Sequence, residues 1–141
     1  MRKANYDKFP STKISGTIVQ GWEAIVSLLK EKLGGRRVLA VDLYTGVHEE
    51  EVLEAFSKGV TGKIINVRDV MTDDVLYGYV TNLSMEDYFD ADKLVAVKKE
   101  ISEAAETVVV IGTGAALVAP EDAMVVYIDM ARWEIDRKSV V

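Results

Sequence analysis

Two continuous runs of mainly β-branched residues late in the chain, Val108 to Ile111 and Met124 to Ile128, restrict the fold of this sequence more than any other feature. Neither run alternates polar with apolar residues, as a strand with one wet face would. Short apolar runs bounded by Gly and Pro suit strands covered on both faces, the position of central strands in an open α/β sheet. They are too short and too rich in valine and isoleucine for a stable buried helix. Between them stand Gly112, Thr113, Gly114 and Pro120. This turn chemistry follows the carboxyl end of a strand, where α/β sheets keep their binding crevice.

The rest of the chain supplies alternating partners for those strands. From Gln20 to Leu33 apolar residues recur at Trp22, Ile25, Val26, Leu28, Leu29 and Leu33, the spacing of an amphipathic helix, and Gly34 and Gly35 stop it. Arg37 to Leu43 predicts a buried strand, followed by a turn and a helix that turns Val47, Val52, Leu53 and Phe56 inward. Lys63 to Val67 predicts a further strand. Met71 to Asp90 is irregular, with Ser84 suited to capping a short turn, and the spacing of Leu94, Val97 and Ile101 predicts a helix over Asp90 to Ala105. After Ile128 a short helix is expected from Asp129, presenting Arg132 and Trp133. The fold class is therefore a three-layer, mainly parallel α/β domain over residues 16–141. A polar arm, residues 1–15, precedes it and is anchored by Tyr6, Phe9 and Ile14.

Composition narrows the partners. The 141 residues suffice for one core of ordinary size, and 17 basic against 23 acidic residues give a formal charge of -6. That balance opposes the counterion release that drives binding to DNA or RNA, so no nucleic-acid partner is expected. No apolar run is long enough for a membrane span, and the basic N-terminus lacks the apolar core of a secretion signal. A cytoplasmic location is the default expectation. With no cysteine, disulfides and thiolate chemistry are excluded.

The strand, turn and helix from Arg37 to Phe56 have the order of a phosphate-binding βα unit, in which backbone N–H groups at a helix start face an anion. The residues do not match that task. Tyr44 to Glu51 contains one glycine, no lysine and three successive glutamates, which favour the helix dipole and repel phosphate. The candidate ligand-binding residues are those at strand ends and in the turns that follow: Asp42, Tyr44, Thr45, Gly46, Arg68, Asp69, Gly112, Thr113, Gly114, Asp129 and Arg132. Asp42, Asp69 and Asp129 either share a magnesium or sugar site or each cap the element that follows. Arg68, Arg132 and Arg137 either clamp a phosphate or carboxylate or form surface ion pairs. His48 is the one histidine, placed where a helix starts, as a solvated or capping residue. Asp73 and Asp74 are adjacent, so an extended strand points them to opposite sides. No catalytic residue and no metal-ligand set is assigned.

The order RVLAVD, turn, helix, NVRD, YFDADKL, TVVVIGTGAAL and AMVVYIDMARWEIDRK resembles the uridine kinase type of nucleoside kinase, a P-loop NTPase-like fold, here with a degenerate phosphate loop. More specifically, NYDKFP, GW, EEEVL, YGYVTNLSMEDYFD and VIGTGAALVAPEDAMVVYIDMARWEI resemble the kinase-like N-terminal domain of long class I mannose-6-phosphate isomerase (phosphomannose isomerase) proteins, over nearly the whole chain. The resemblance implies an isomerase domain of the cupin type as partner, in cis or in trans. It does not bring that domain's zinc site, which needs several histidines. Two function classes follow. One is a kinase-like binding or regulatory domain for a sugar phosphate or nucleotide, with or without magnesium, and without isomerase activity of its own. The other is an active phosphotransferase with an unconventional phosphate site near Tyr44 to His48 and Gly112 to Ala115.

Overall fold

Leu39, Ala40 and Val41 are almost wholly withdrawn from water. A strand reaches that state only with neighbours on both edges and layers on both faces. In the computed structural model, which describes residues 11–13, 15–73 and 83–131, both conditions hold. Strand β1 (Val38–Leu43) lies between β3 (Val108–Gly112) and β4 (Met124–Ile128), and β2 (Lys63–Asn66) lies beyond β3. The order is β2-β3-β1-β4 with every pairing parallel. Val38 is level with Val108, and Leu39 with Met124. This is neither the 3-2-1-4 nor the 2-1-3-4 order of the common doubly wound sheets.

Helices cover both faces. On one face α1 (Trp22–Leu33) and α2 (Glu49–Gly59) bury Val26, Leu33, Val52 and Phe56 against Leu39, Val41, Leu43, Val109 and Ile111. On the other, α3 (Ala91–Glu103) and the single turn α4 (Ala115–Val118) bring Ile101, Ala115 and Val118 against Val38, Ala40, Val108 and Val110. Each strand residue faces the opposite layer from its neighbour, which is why both runs read as continuously apolar.

Local chemistry sets the ends of these elements. Helix α2 starts with Glu49, Glu50 and Glu51 and has Lys58 in its last turn, the charge order that suits its dipole. The Asp90 carboxylate accepts the Lys93 N–H at 2.9 Å and caps α3. At the far end of α3, Arg37 Nη1 donates to the Ala104 carbonyl at 2.8 Å, tying the helix to the start of β1.

Three details differ from expectation. Strand β2 stops one residue early, because the Asn66 side chain accepts the Arg68 N–H at 2.8 Å and turns the chain into a 3-10 helix, Val67–Val70. Val67 and Val70 are fully buried there. The glycine-rich loop after β3 contains a helical turn, α4, where a simple turn was expected. Among the described residues strand β4 is not covered on both faces: it is a sheet edge, with Met124, Val126 and Ile128 packed towards α1 and α2 while Val125 and Tyr127 are 54% and 58% exposed. Its composition is that of an interior strand, but its place is not.

Before α3, Met71 and Phe89 form a bridge, and a 3-10 helix, Met85–Tyr88, starts where the Asp87 carboxylate takes the Ser84 N–H at 2.7 Å. The expected anchors Tyr6, Phe9 and Ile14, and the expected terminal helix with Arg132, Trp133 and Arg137, lie outside the described residues. No helix among the described residues is long and apolar enough to cross a membrane.

Phe56 is the largest fully buried side chain among the described residues. Phe56→Ala is expected to destabilise the domain by about 3–5 kcal/mol, whereas Val125→Thr on the open face of β4 should change stability by no more than about 0.5 kcal/mol. Urea unfolding of both variants measures the contrast.

Candidate functional site

The chain leaves β1 and β3, which are neighbours, in opposite directions. From β1 it passes into α2 on one face and on to β2. From β3 it passes into α4 on the other face and on to β4. Loops that diverge in this way leave a crevice at the carboxyl ends of the strands. A cleft of about 450 Å³ opens there. Its walls are the turn from Leu43 to Glu50, the segment Val67, Arg68 and Met71 after β2, and Gly112 with Thr113 after β3. A second cleft of about 600 Å³ lies at the amino ends of the strands, with Arg36, Arg37 and Lys98 facing Glu121 and Asp122. It is larger, but no diverging loops form it, and the carboxyl-end cleft is the better candidate.

The turn that forms one wall is closed by Val47 N–H donating to the Tyr44 carbonyl at 3.1 Å, and Tyr44 N–H donates to the Ile128 carbonyl at 2.9 Å. These bonds hold Tyr44 between the ends of β1 and β4. His48 precedes α2, and its carbonyl accepts from Glu51 and Val52 while its ring makes no cap. Across the cleft, Arg68 Nη2 donates to Glu49 Oε2 at 3.0 Å. Arg68 is 71% exposed and Glu49 20%, so solvent screens the pair from one side and its net value is about 1 kcal/mol or less.

Glu49 Oε1 is buried without a hydrogen-bond partner. Such an acceptor costs about 1–3 kcal/mol relative to one left in water. Its position in the first turn of α2, at the positive end of the helix dipole, offsets part of that. Glu49 thus places a carboxylate in the first turn of α2, beside the cleft, with Arg68 as its donor.

Of the candidate residues named from sequence, Tyr44, Thr45, Gly46, Arg68, Gly112 and Thr113 line this cleft. Asp42, Asp69, Gly114 and Asp129 are outside its lining, and Arg132 is outside the described residues. Asp42 is a cap. Its Oδ1 accepts the Gly114 N–H at 3.2 Å and its Oδ2 the Ala116 N–H at 2.9 Å, fastening the start of α4 to the end of β1. Asp129 Oδ1 turns back to the Met130 N–H at 2.8 Å. Asp69 follows β2 and Asp129 follows β4, the two opposite edges of the sheet. Three inter-strand spacings, about 14 Å, separate those edges, so the three acids cannot share one cation. Among the described residues no group of three or more His, Asp or Glu is placed to hold a metal ion. Tyr127, level with Asp42 in the neighbouring strand, has its hydroxyl pushed above the ordinary phenol range, first by partial loss of hydration and then by the negative field of Asp129, Asp42 and Tyr44.

The glycines have packing reasons. At Gly112, with φ of +139°, a Cβ would stand 2.7 Å from Val67 Cβ. At Gly114, φ is +85° and a Cβ would stand 3.0 Å from Phe89 Cζ. Backbone strain and crowding both demand glycine there. Of the polar lining residues, Glu49 and Glu50 were not among the candidates from sequence, and His48 entered only as the end of the Tyr44 turn. The signal for Glu49 was present, since the first turn of a helix that follows a strand and turn borders the crevice at the carboxyl end of the sheet.

A family model for a domain of unknown function, DUF8485, matches residues 65–139, which is more than half of the chain. The chain belongs to the DUF8485 family. No curated protein and no solved structure matches it. The DUF8485 segment contains β3, β4 and the Arg68 side of the cleft but not β1 or the Tyr44 turn. Because β1 separates β3 from β4, the segment makes this sheet and this cleft only together with the residues before it.

Asp42→Ala removes both acceptors at the start of α4 and leaves two N–H groups without them. It is expected to cost about 1–3 kcal/mol of stability. Asp42→Asn, which keeps one accepting oxygen, should cost less, and urea unfolding of the two variants gives the order.

Proposed function

We propose that this chain is a kinase-like small-molecule binding domain that has no phosphoryl-transfer chemistry and serves a mannose-6-phosphate isomerase, in cis or in trans. The observation that carries the reading is the cleft between β1 and β3, whose one lining arginine is already engaged by Glu49. Its location is that of a ligand site in an open parallel sheet. The turn Tyr44 to His48 follows the first strand, where the nucleoside kinases that the sequence resembles carry their phosphate loop. Transfer of a phosphoryl group needs positioned positive charge around the three equatorial oxygens. Here the helix start presents Glu49 and Glu50 to the cleft, and Arg68 is the one lysine or arginine among its lining residues.

What this arrangement suits is the sugar or nucleoside portion of a ligand. Tyr44 offers an aromatic face and a hydroxyl, Thr45 and Thr113 offer hydroxyls, and Glu49, Glu50 and Arg68 accept from or donate to ligand hydroxyl groups. A phosphate on the same ligand is held only if Arg68 leaves Glu49. Sugar phosphates and nucleotides are therefore weaker ligands than their uncharged counterparts, or equal to them, unless that exchange occurs.

A thermal-shift screen over sugars, nucleosides and their phosphates, with and without magnesium, tests the reading, because a ligand of the folded state raises the melting temperature. The expected outcome is a shift with at least one of them that is lost in Tyr44→Ala and persists in Asp69→Asn. Supplied with zinc, the chain is expected not to interconvert mannose 6-phosphate and fructose 6-phosphate above a matched blank. Phosphoryl transfer from ATP to any of these compounds, abolished by Arg68→Ala, would favour an active kinase instead.

A further inference from the structure

Strand β4 combines two properties that rarely coexist. It is an edge of the sheet among the described residues, and its sequence, Met124 to Ile128, contains no charge and no proline. Its register with β1 runs without a bulge from Leu39–Met124 to Leu43–Ile128. Edges are ordinarily blunted by lysine, proline or a bulge, since a row of unpaired N–H and C=O groups is a template for another strand. None of these protections is present. On the face shared with α4, Val125 and Tyr127 stand exposed, and Leu117 of α4 is 38% exposed. α4 packs mainly over β1 and β3, and more than half of Val125 and of Tyr127 stays exposed. A strand whose composition belongs in a sheet interior is thus half-covered.

The charges around this edge select what can cover it. Glu121 and Asp122 precede β4 and Asp129 follows it, all three exposed; Arg36, Arg37 and Lys98 line the same cleft as Glu121 and Asp122, but none of the three acids forms an ion pair among the described residues. A second copy is a poor occupant. Paired antiparallel, Glu121 and Asp122 of one copy would meet Asp129 of the other, and paired parallel, each acid would meet itself. Like charges placed opposite one another across strands destabilise the pair. We propose that β4 docks an extended segment of a separate partner protein, which joins the sheet as a fifth strand, places apolar side chains beside Val125 and Tyr127, and carries basic residues at both ends. This is recognition by strand addition, in which main-chain hydrogen bonds give affinity and alternate side chains and end charges give specificity.

The test uses the full chain and two fluorescently labelled nine-residue peptides, each with three valines alternating with two threonines. One peptide has paired lysines at both ends and the other paired glutamates. Fluorescence polarisation is expected to show the lysine-ended peptide binding at least about tenfold more tightly. Hydrogen exchange at Val125 to Ile128 should slow in that complex. The double variant Val125→Lys, Tyr127→Lys, whose sites are exposed, should unfold in urea like the parent but lose at least about tenfold in affinity. Equal affinity for the two peptides, or binding without slowed exchange in β4, overturns the proposal. Concentration-dependent dimerisation that slows exchange in β4 without peptide would assign the edge to a second copy. Binding that appears only after removal of residues 132–141 would assign it to the chain itself.

Discussion

Everything in this domain depends on the insertion of β1 between two strands that follow it by some 70 residues or more. Val38 is level with Val108 and Leu39 with Met124, so one strand joins what would otherwise be a β2-β3 pair and a lone β4. It also divides the core. Ala40 faces the layer of α3 and α4 while Leu39 and Val41 face that of α1 and α2. A polar residue at any of these three positions would be withdrawn from water on one face with no partner within the layer, which is the condition buried polar groups avoid.

The cleft follows from the same arrangement. Because β1 and β3 are neighbours whose outgoing chains take opposite faces, their carboxyl-end loops part, and the residues lodged between them are set by where those loops begin. Asp42 is spent on fastening the two sides together through Gly114 and Ala116. Glu49 stands in the first turn of α2, and Arg68 reaches it from the segment after β2. A cleft whose one arginine is already engaged by a carboxylate of the chain has little positive charge left with which to hold a phosphate.

The parallel α/β layering was legible because it rests on composition and period. Val108 to Ile111 is buried at every position, as a continuous β-branched run requires, and the three-and-four spacing of Val26, Leu33, Val52 and Phe56 marks the faces that are buried. The same run at Met124 to Ile128 misled, since composition reports what a strand can tolerate on its faces and says nothing of whether a neighbour lies beside it. At the site, the turns around Tyr44 and Gly112 were found from their place after strands. The role of Asp42 was open between ligand and cap, because its two acceptors belong to Gly114 and Ala116, distant in sequence and brought close only by the β1-β3 pairing. Gly112 and Gly114 looked like a ligand loop, but Val67 and Phe89, from two other segments, dictate them.

The central position of an early strand has a consequence for how the molecule forms. When α1, β1 and α2 have been synthesised, they expose Leu39, Val41, Val52 and Phe56 as a shared apolar surface, but β1 has neither of its neighbours yet. No two consecutive strands in this chain are adjacent in the sheet except β2 and β3, so closure of long loops must precede most of the pairing. Folding with such non-local contacts is slow for a chain of this size, and the waiting strand is vulnerable to association with other chains. The nascent chain therefore spends its most exposed interval with its central strand complete and unpaired.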